Sequence, residues 1–105
     1  MFPTEKSMIL PLLFIAARYP NGLQPRDAYL EMRDFFPKLT AADRRVVTST
    51  GANKYENNVR WAKKKAKEEG WMRARKGIWF LTGSGWTHLV KEWKNWAAKY
   101  SKVKV

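Results

Sequence analysis

The side chains best suited to binding chemistry lie between residues 54 and 67. When this segment is wound as a helix at about 100° per residue, one side becomes an apolar stripe of Tyr55, Val59, Ala62 and Ala66. The opposite side gathers amide and cationic groups, namely Asn57, Arg60, Lys64 and Lys67. Such a helix packs through one face and meets an anion with the other. The alternative is an ordinary solvated surface helix of a basic protein.

Two residues of this polar face match the hydrogen-bonding chemistry of base edges. Arginine pairs bidentately with guanine, and asparagine with adenine, in the major groove of duplex DNA. We therefore predict Asn57 and Arg60 as base-reading residues, with Asn58 and Trp61 as further candidates. For Asn57 and Arg60 the alternative is a phosphate contact or a solvated side chain. Trp61 lies off the apolar stripe, so it either stacks on a base or a sugar or wedges against a neighbouring helix.

The other cations of this region fit phosphate contacts, which position a protein on a duplex without reading its sequence. The predicted contacts to the DNA backbone are Lys54, Lys64, Lys67, Arg73, Arg75 and Lys76. For each of these side chains the alternative is a solvated surface charge that touches no ligand.

The overall charge favours a polyanionic partner. Lysine and arginine number 21 against 9 acidic residues, which gives a formal net charge of +12 and a pI near 10.2 over 105 residues. Neutralising phosphates releases counterions and so strengthens binding. An anionic membrane and a merely basic protein are the alternatives, but no apolar run is long enough to cross a bilayer. We expect no membrane partner and a cytoplasmic, nucleoid-associated location.

The sequence contains few candidate catalytic or metal-binding residues. The chain has no cysteine and a single histidine, His88, so thiolate zinc sites, cysteine nucleophiles and Ser-His-Asp triads lack their components. Residues 92–94, Glu-Trp-Lys, resemble the Glu-x-Lys part of metal-dependent nucleases, but they fall in the middle of a predicted helix. We predict a non-enzymatic protein without metal or cofactor, and His88 as a surface or packing residue.

The predicted recognition helix needs a scaffold, which begins with an apolar helix. This helix runs from residue 8 to about residue 18, with Ser7 as its cap and Pro11 in its first turn, where a missing N–H costs little. Apolar residues surround it almost completely, so we predict it as the central core helix. The sequence Tyr-Pro-Asn-Gly at residues 19–22 ends it.

Two further helical segments precede the basic helix. The second helix opens at Pro25 and closes at Pro37. Its packing residues are predicted to be Ala28, Leu30, Met32, Phe35 and Phe36. The third segment, residues 41 to about 47, is short, and Thr40 and Asp43 predict a capping box at its start. A polar loop, residues 48–53, then leads into the basic helix.

After Gly70, a residue typical of helix ends, the pattern becomes that of a β-hairpin. Residues 71–73 and 78–81 are β-prone and aromatic, and they flank a tip at residues 74–77 in which Gly77 supplies the turn. We predict that the tip carries Arg73, Arg75 and Lys76. Trp79 on the second strand is predicted to lie in the core.

The last predicted helix runs from about residue 86 to residue 100. Its apolar spacing is set by Leu89, Val90, Trp93, Ala97 and Tyr100. Trp86, Trp93 and Trp96 are expected to pack this helix. Trp96 falls off the main stripe, so a subunit interface is its alternative place. Residues 101–105 are predicted to form a frayed basic tail.

The order of elements is helix, helix, short helix, basic helix, basic hairpin, helix. This is the order of a winged helix-turn-helix domain, whose third helix enters the major groove and whose hairpin, the wing, reaches the neighbouring backbone. The sequence therefore predicts a mainly α fold with a small β-hairpin (α+β), a winged helix-turn-helix, as one domain over residues 1–100. Residues 54–69 are the predicted recognition helix and residues 71–81 the predicted wing.

Several motifs also resemble the winged-helix N-terminal domain of Mrr-like restriction system proteins. That family combines a Pro-Leu-Leu first helix, an Asn-x-Val-Arg-Trp-Ala segment, a Gly-x-Trp strand and a Leu-Thr-x-x-Gly entry to the last helix. The corresponding residues here are 11–13, 57–62, 76–79, where Lys76 precedes the Gly-x-Trp, and 81–85, together with Thr40, residues 49–51 and Gly70. The similarity covers residues 8 to about 89.

The resemblance implies a DNA-binding winged helix, in relatives often fused to a restriction-type nuclease domain and sometimes concerned with modified DNA. The partner would be double-stranded DNA in a restriction or phage-defence setting, with a nuclease partner and a homodimer through the C-terminal helix left open. The chain would be a stand-alone DNA reader, a fragment of a longer restriction factor, or a repurposed phage or mobile-element protein. The alternative function is a protein-interaction adaptor that binds an acidic host-factor surface through the wing and the tryptophan-rich last helix. RNA binding is a third reading.

Overall fold

The structure, a computed structural model, describes residues 3–96. Within these residues lie helices α1 (Glu5–Ala17), α2 (Pro25–Met32), α3 (Lys54–Glu68) and α4 (Gly83–Trp96) and strands β1 (Met72–Arg75) and β2 (Ile78–Leu81). Two 3₁₀ turns, Arg33–Phe35 and Asp43–Arg45, stand between α2 and α3. The predicted fold class is confirmed, because the chain is mostly helical with a small two-stranded antiparallel sheet in the winged-helix order. Residues 97–105, with the predicted end of the last helix and the predicted tail, lie outside the described residues.

Helix α1 is the centre of the core, as its apolar sequence predicts, and its side chains at Met8, Leu12 and Leu13 are fully buried. The predicted cap at Ser7 was wrong, because Thr4 caps the helix one turn earlier. The Thr4 hydroxyl accepts a hydrogen bond from the Ser7 N–H at 3.2 Å, and Ser7 Oγ donates to the Thr4 carbonyl at 2.8 Å. Pro11 therefore lies in the helix interior rather than in its first turn.

Pro11 leaves one carbonyl of α1 without its helical donor, because proline has no N–H for the residue four positions earlier. That residue is Ser7, and its carbonyl accepts a hydrogen bond from the indole nitrogen of Trp96 at 2.7 Å instead. The predicted packing of Trp96 is confirmed, since the side chain is only 4% exposed and is enclosed by the chain itself, which leaves its ring no surface for the alternative, a subunit interface. The indole fastens α4 to α1.

Helix α2 begins at Pro25, as predicted, and ends at Met32, where the first 3₁₀ turn takes over. Ala28 and Met32 face the core because they are four residues apart on one side of the helix. The packing role predicted for Leu30 was wrong: it lies on the other side and is 50% exposed. Beyond the helix, the half-buried Phe35 and Phe36 pack with the aromatic rings of α4.

The capping box between α2 and α3 is present, but the helix it was expected to start is not. The Thr40 N–H donates to Asp43 Oδ2 and the Asp43 N–H donates to Thr40 Oγ1, each at 3.0 Å. The segment stays a single 3₁₀ turn because Val46 is extended. Its carbonyl accepts a hydrogen bond from the Lys54 N–H at 2.8 Å, which ties the turn to the start of α3.

The end of α3 leads directly into the hairpin. Gly70 has φ +79°, and the N–H groups of Gly70 and Trp71 donate to the carbonyls of Lys67 and Ala66, which is the Schellman pattern. The strands then pair in antiparallel register from Met72↔Leu81 to Arg75↔Ile78. Residues 76 and 77 form the turn with positive φ angles of 51° and 79°, as a type I′ turn requires.

The hairpin has a third partner that the sequence did not reveal. Leu23, in the connection between α1 and α2, pairs with Trp79 through two backbone hydrogen bonds of 2.8 and 2.9 Å. Trp79 is 4% exposed, which confirms its predicted place in the core. The wing is thereby joined to the helical scaffold along its second strand.

Helix α4 begins at Gly83, three residues earlier than predicted, with the Thr82 hydroxyl accepting a hydrogen bond from the Gly85 N–H. The core side of α4 contains Gly85, Leu89 and Trp96. The packing roles predicted for Trp86 and Val90 were wrong, since these side chains are 54% and 65% exposed. The face that α4 presents to the core differs from the predicted one because Gly85 lies against the Trp71 backbone. A Cβ added to Gly85 would stand 2.0 Å from the Trp71 carbonyl oxygen.

Candidate nucleic-acid interface

The N-terminus of α3 is fixed by the asparagine that caps it. The side-chain oxygen of Asn53 accepts a hydrogen bond from the Glu56 N–H at 2.9 Å, and its amide nitrogen donates to the Arg44 carbonyl at 2.6 Å. The predicted apolar stripe is confirmed, since the buried residues of α3 are Tyr55, Val59, Ala62 and Ala66. The stripe packs against α1, so the opposite face of α3 is left open.

The two predicted base-reading residues lie on the side of α3 away from its buried stripe. Asn57 is half-buried, and its side-chain amide forms no hydrogen bond to residues 3–96. Arg60 is exposed and held at its tip: Nη1 donates to the Tyr29 hydroxyl at 3.2 Å and lies 3.9 Å from Glu56 Oε1. Both groups are accessible, and only Arg60 is braced by a neighbouring helix.

Asn58 and Trp61, the further candidates, differ in their surroundings. The Asn58 amide donates to the Pro3 carbonyl at 3.2 Å, so this side chain faces the start of the chain. Trp61 is 40% exposed, and the ammonium nitrogen of Lys64 stands 4.5 Å from the centre of its ring. Trp61 thus offers part of its ring to solvent beside a cation.

The predicted backbone cations are spread over α3 and the wing, and all of them are exposed. On α3 they are Lys54, Lys64 and Lys67, and on the hairpin they are Arg73, Arg75 and Lys76. The predicted tip at residues 74–77 was too long, because β1 extends to Arg75 and the turn is residues 76 and 77. Arg73 lies within β1, with its guanidinium 4.6 Å from the centre of the Phe80 ring, Arg75 ends the strand, and Lys76 lies in the turn. Among residues 3–96, neither Arg75 nor Lys76 forms an ion pair, so the tip charge is uncompensated.

Sequence reasoning missed cationic residues that the fold brings to the start of α3. Arg44 and Arg45 end the second 3₁₀ turn, which the Asn53 amide and the Lys54 N–H tie to α3. Arg45 is exposed, and Arg44 is half-buried with its guanidinium donating to the Leu39 carbonyl. The doubled arginine directly after a capping box was the available signal. Tyr29 was also missed, because its contact with Arg60 joins residues 31 positions apart.

His88 and Glu92 on α4 complete the set of residues considered for chemistry. His88 stacks on Trp71 with ring centres 3.6 Å apart and planes 9° from parallel, in line with its predicted packing role. Glu92 lies in the middle of α4, where the nuclease-like triplet was expected to fall. Within residues 3–96, no group of three His, Asp or Glu residues is arranged to hold a metal ion. In the same part of the chain, no helix has the length and apolar character needed to span a bilayer.

Comparisons with known proteins give one match, and it agrees with the motifs of the sequence. Neither the curated proteins nor the solved structures yield a significant match. The family model of the Mrr N-terminal domain, a domain associated with restriction systems, matches residues 6–92. These residues span α1 to most of α4, including the open face of α3 and the wing. The chain therefore belongs to the Mrr N-terminal domain family.

Proposed function

We propose that the protein binds double-stranded DNA, with α3 in the major groove and the wing on the neighbouring backbone. The observation that carries this proposal is the open face of α3, where Asn57 and Arg60 stand among exposed cations while the opposite stripe is buried. A major groove about 12 Å wide admits one α-helix. The cations of the hairpin extend the same positive surface to the flanking phosphates.

The side chains divide into two roles under this proposal. Arg60 and Asn57 read base edges, and Trp61 contacts a base or a sugar beside them. The exposed lysines of α3 and the cations of the wing hold phosphates. Asn58 belongs to the scaffold, because its amide is bound to the Pro3 carbonyl. The protein acts without catalysis in a restriction or phage-defence setting, and the target includes modified bases.

Binding should be tested by fluorescence anisotropy on matched duplexes that differ only in cytosine or adenine modification. Arg60→Ala should reduce discrimination between sequences by about 1–3 kcal/mol. Lys76→Ala should weaken binding to all duplexes alike and lower the salt slope by about 1. Lys91→Ala, an exposed lysine of α4 outside the proposed interface, serves as the control and should behave as the wild type.

The outcomes separate the parts of the proposal. A protein that binds no duplex at low salt is not a DNA-binding protein of this kind. Equal affinity for modified and unmodified duplexes removes modification sensing and leaves DNA binding intact. Tighter binding to structured RNA than to duplex DNA, measured by direct competition, would assign the surface to RNA.

A second candidate function is favoured by one specific observation, an apolar groove between α1 and α4. It is lined by Phe14, Ala17, Arg18, Trp86, Leu89, Val90 and Trp93. Trp86 and Val90 are more than half exposed, and exposed lysines at positions 91 and 94 lie on the same helix. Apolar surface beside cations fits an acidic protein partner with an apolar centre.

This adaptor function has a distinguishing test. A protein partner retained after nuclease treatment should be lost with Trp86→Ser and kept with Arg60→Ala. The reverse pattern, or loss of all partners on nuclease treatment, leaves DNA binding as the function. A second copy of the chain could also occupy this groove. Sedimentation of the free chain tests this, because a homodimer through the groove should dissociate when Val90 is changed to Asp.

A further inference from the structure

Tyr29 of α2 lies where α2, α3 and the wing meet. Its hydroxyl accepts a hydrogen bond from Arg60 Nη1 at 3.2 Å, and its carbonyl accepts one from the Tyr55 hydroxyl at 2.6 Å. Its ring meets the Trp79 ring edge-on, with centres 6.3 Å apart. One residue outside α3 thus touches the arginine of the open face, the buried side of α3 and the wing.

We propose that Tyr29 is a positioning residue for sequence reading, which holds the guanidinium of Arg60 in place before DNA arrives. The inference rests on the proposed function. An exposed arginine must give up rotamer freedom when it binds a base edge. A group that is already ordered loses less on binding, and its fork is aimed at one base pair rather than several.

The geometry leaves Arg60 able to bind while it is held. A guanidinium carries five N–H groups, and Nη1 carries two of them. Tyr29 takes one hydrogen of Nη1, so the fork keeps free donors for the groove. Glu56 adds little to this hold, because its carboxylate is 3.9 Å from Nη1 and both side chains are 43% exposed.

The hydroxyl and the ring of Tyr29 do separate jobs, which makes the inference testable. Among residues 3–96, the hydroxyl contacts only Arg60 through a hydrogen bond, whereas the ring packs on Trp79. Tyr29→Phe removes the hold on Arg60 and keeps the ring. Tyr55→Phe is the matched control, since the Tyr55 hydroxyl donates to the Tyr29 carbonyl and does not touch Arg60.

The experiment is selection from a duplex library with a randomised window, using the wild type, Tyr29→Phe, Tyr55→Phe, Arg60→Ala and the Tyr29→Phe/Arg60→Ala pair. We expect Arg60→Ala to abolish the preference at one or two base pairs. Tyr29→Phe should reduce the preference at the same positions roughly fivefold, as for one lost hydrogen bond, with an unchanged salt slope. The double variant should match Arg60→Ala alone, and Tyr55→Phe should keep the wild-type preference.

Several outcomes would overturn the inference. These are an unaltered preference in Tyr29→Phe, a loss spread over all positions, or additive effects in the double variant. Selection without any preference by the wild type would remove base reading and positioning together while DNA binding stands. No duplex binding at all would instead defeat the proposed function.

A second measurement needs no variant and covers the case in which Tyr29→Phe does not fold. In the free wild-type protein, the ¹⁵N relaxation of Arg60 Nε should report a more ordered side chain than that of Arg75, an exposed arginine without an ion pair in the described part of the chain. Equal disorder of the two side chains would contradict positioning by Tyr29.

Discussion

A single turn of chain before α3 shows how two side chains set a local structure. Thr40 and Asp43 each accept a hydrogen bond from the backbone N–H of the other. The backbone N–H of Thr40, followed by its hydroxyl, holds the pKa of Asp43 below its usual range. The folded chain therefore favours the ionised carboxylate, and the stability that the Thr40–Asp43 hydrogen bonds provide depends on pH.

The sign of this dependence follows from the lowered pKa. A carboxylate of this kind stabilises the fold above its unfolded pKa of about 3.9 and loses that contribution as pH falls through the folded pKa. We expect Asp43→Asn to lower the Tm at pH 7, and the difference from wild type to shrink as pH falls below about 3.9. Circular dichroism melting across this range measures both.

The control for this prediction is Asp34→Asn, a change at an exposed carboxylate of the first 3₁₀ turn that the structure places in no capping box. Asp34→Asn should lower the Tm at pH 7 by less than Asp43→Asn does, because it removes no capping hydrogen bond. A difference for Asp43→Asn that persists undiminished in acid would show that the loss comes from packing and not from the charged carboxylate.

At the scale of elements, the contact between α1 and α4 depends on a proline and a tryptophan far apart in the chain. Pro11 frees the Ser7 carbonyl, and the Trp96 indole satisfies it. A buried carbonyl left without a donor costs about 1–3 kcal/mol. We expect Trp96→Phe to lower the free energy of unfolding by about that amount, measured by urea denaturation.

The second half of this prediction uses the proline. In Pro11→Ala the helix regains an N–H that can serve the Ser7 carbonyl. Trp96→Phe should therefore cost less in the Pro11→Ala background than in the wild type. Strict additivity of the two changes would indicate that the indole contributes through packing alone.

The same scale explains what the sequence predicts about the elements and what it does not. The bounds and buried stripe of α3 were predicted well, because its caps and its apolar period are local features. The start of α1 was missed because Thr4 and Ser7 both suit a cap and stand three residues apart. The face of α4 was missed because Gly85 meets the Trp71 carbonyl, a tertiary contact without a sequence signature.

The candidate site also contains features that the sequence predicts and features that it does not. The helical wheel placed Asn57 and Arg60 on the open side of α3 because that placement follows from spacing alone. The Tyr29 hydroxyl on Arg60 and the pairing of Leu23 with Trp79 both cross long stretches of chain. Such contacts depend on how the elements pack, so periodicity and capping rules do not reveal them.

At the scale of the whole molecule, a net charge of +12 acts on stability and on binding with opposite signs. Like charges repel within the folded chain and salt screens them, so we expect the Tm of the free protein to rise between 50 and 500 mM NaCl, by about 4–8 °C for each kcal/mol of relieved repulsion. Affinity for duplex DNA should fall over the same series, by about 10³–10⁵ between 50 and 200 mM for six to ten phosphate contacts.

Thermal melting with and without DNA measures both effects in one series, because a bound duplex raises the Tm by an amount that grows with the logarithm of its affinity. The two curves should approach each other as salt increases. A Tm of the free protein that falls with added salt would mean that attractive ion pairs outweigh the repulsion.

Thr82 closes the hairpin at its base. Its N–H donates to the Trp71 carbonyl at 3.0 Å, and its hydroxyl donates to the Gly70 carbonyl at 2.6 Å while accepting from the Gly85 N–H. The turn lies at the other end, where a Cβ added to Gly77 would meet no atom within 4 Å. Because Thr82 fixes the base of the hairpin and no atoms pack around Gly77 in the turn, paired residues can be added or removed at the turn without disturbing the helices. The length of the hairpin is therefore free to change independently of α3.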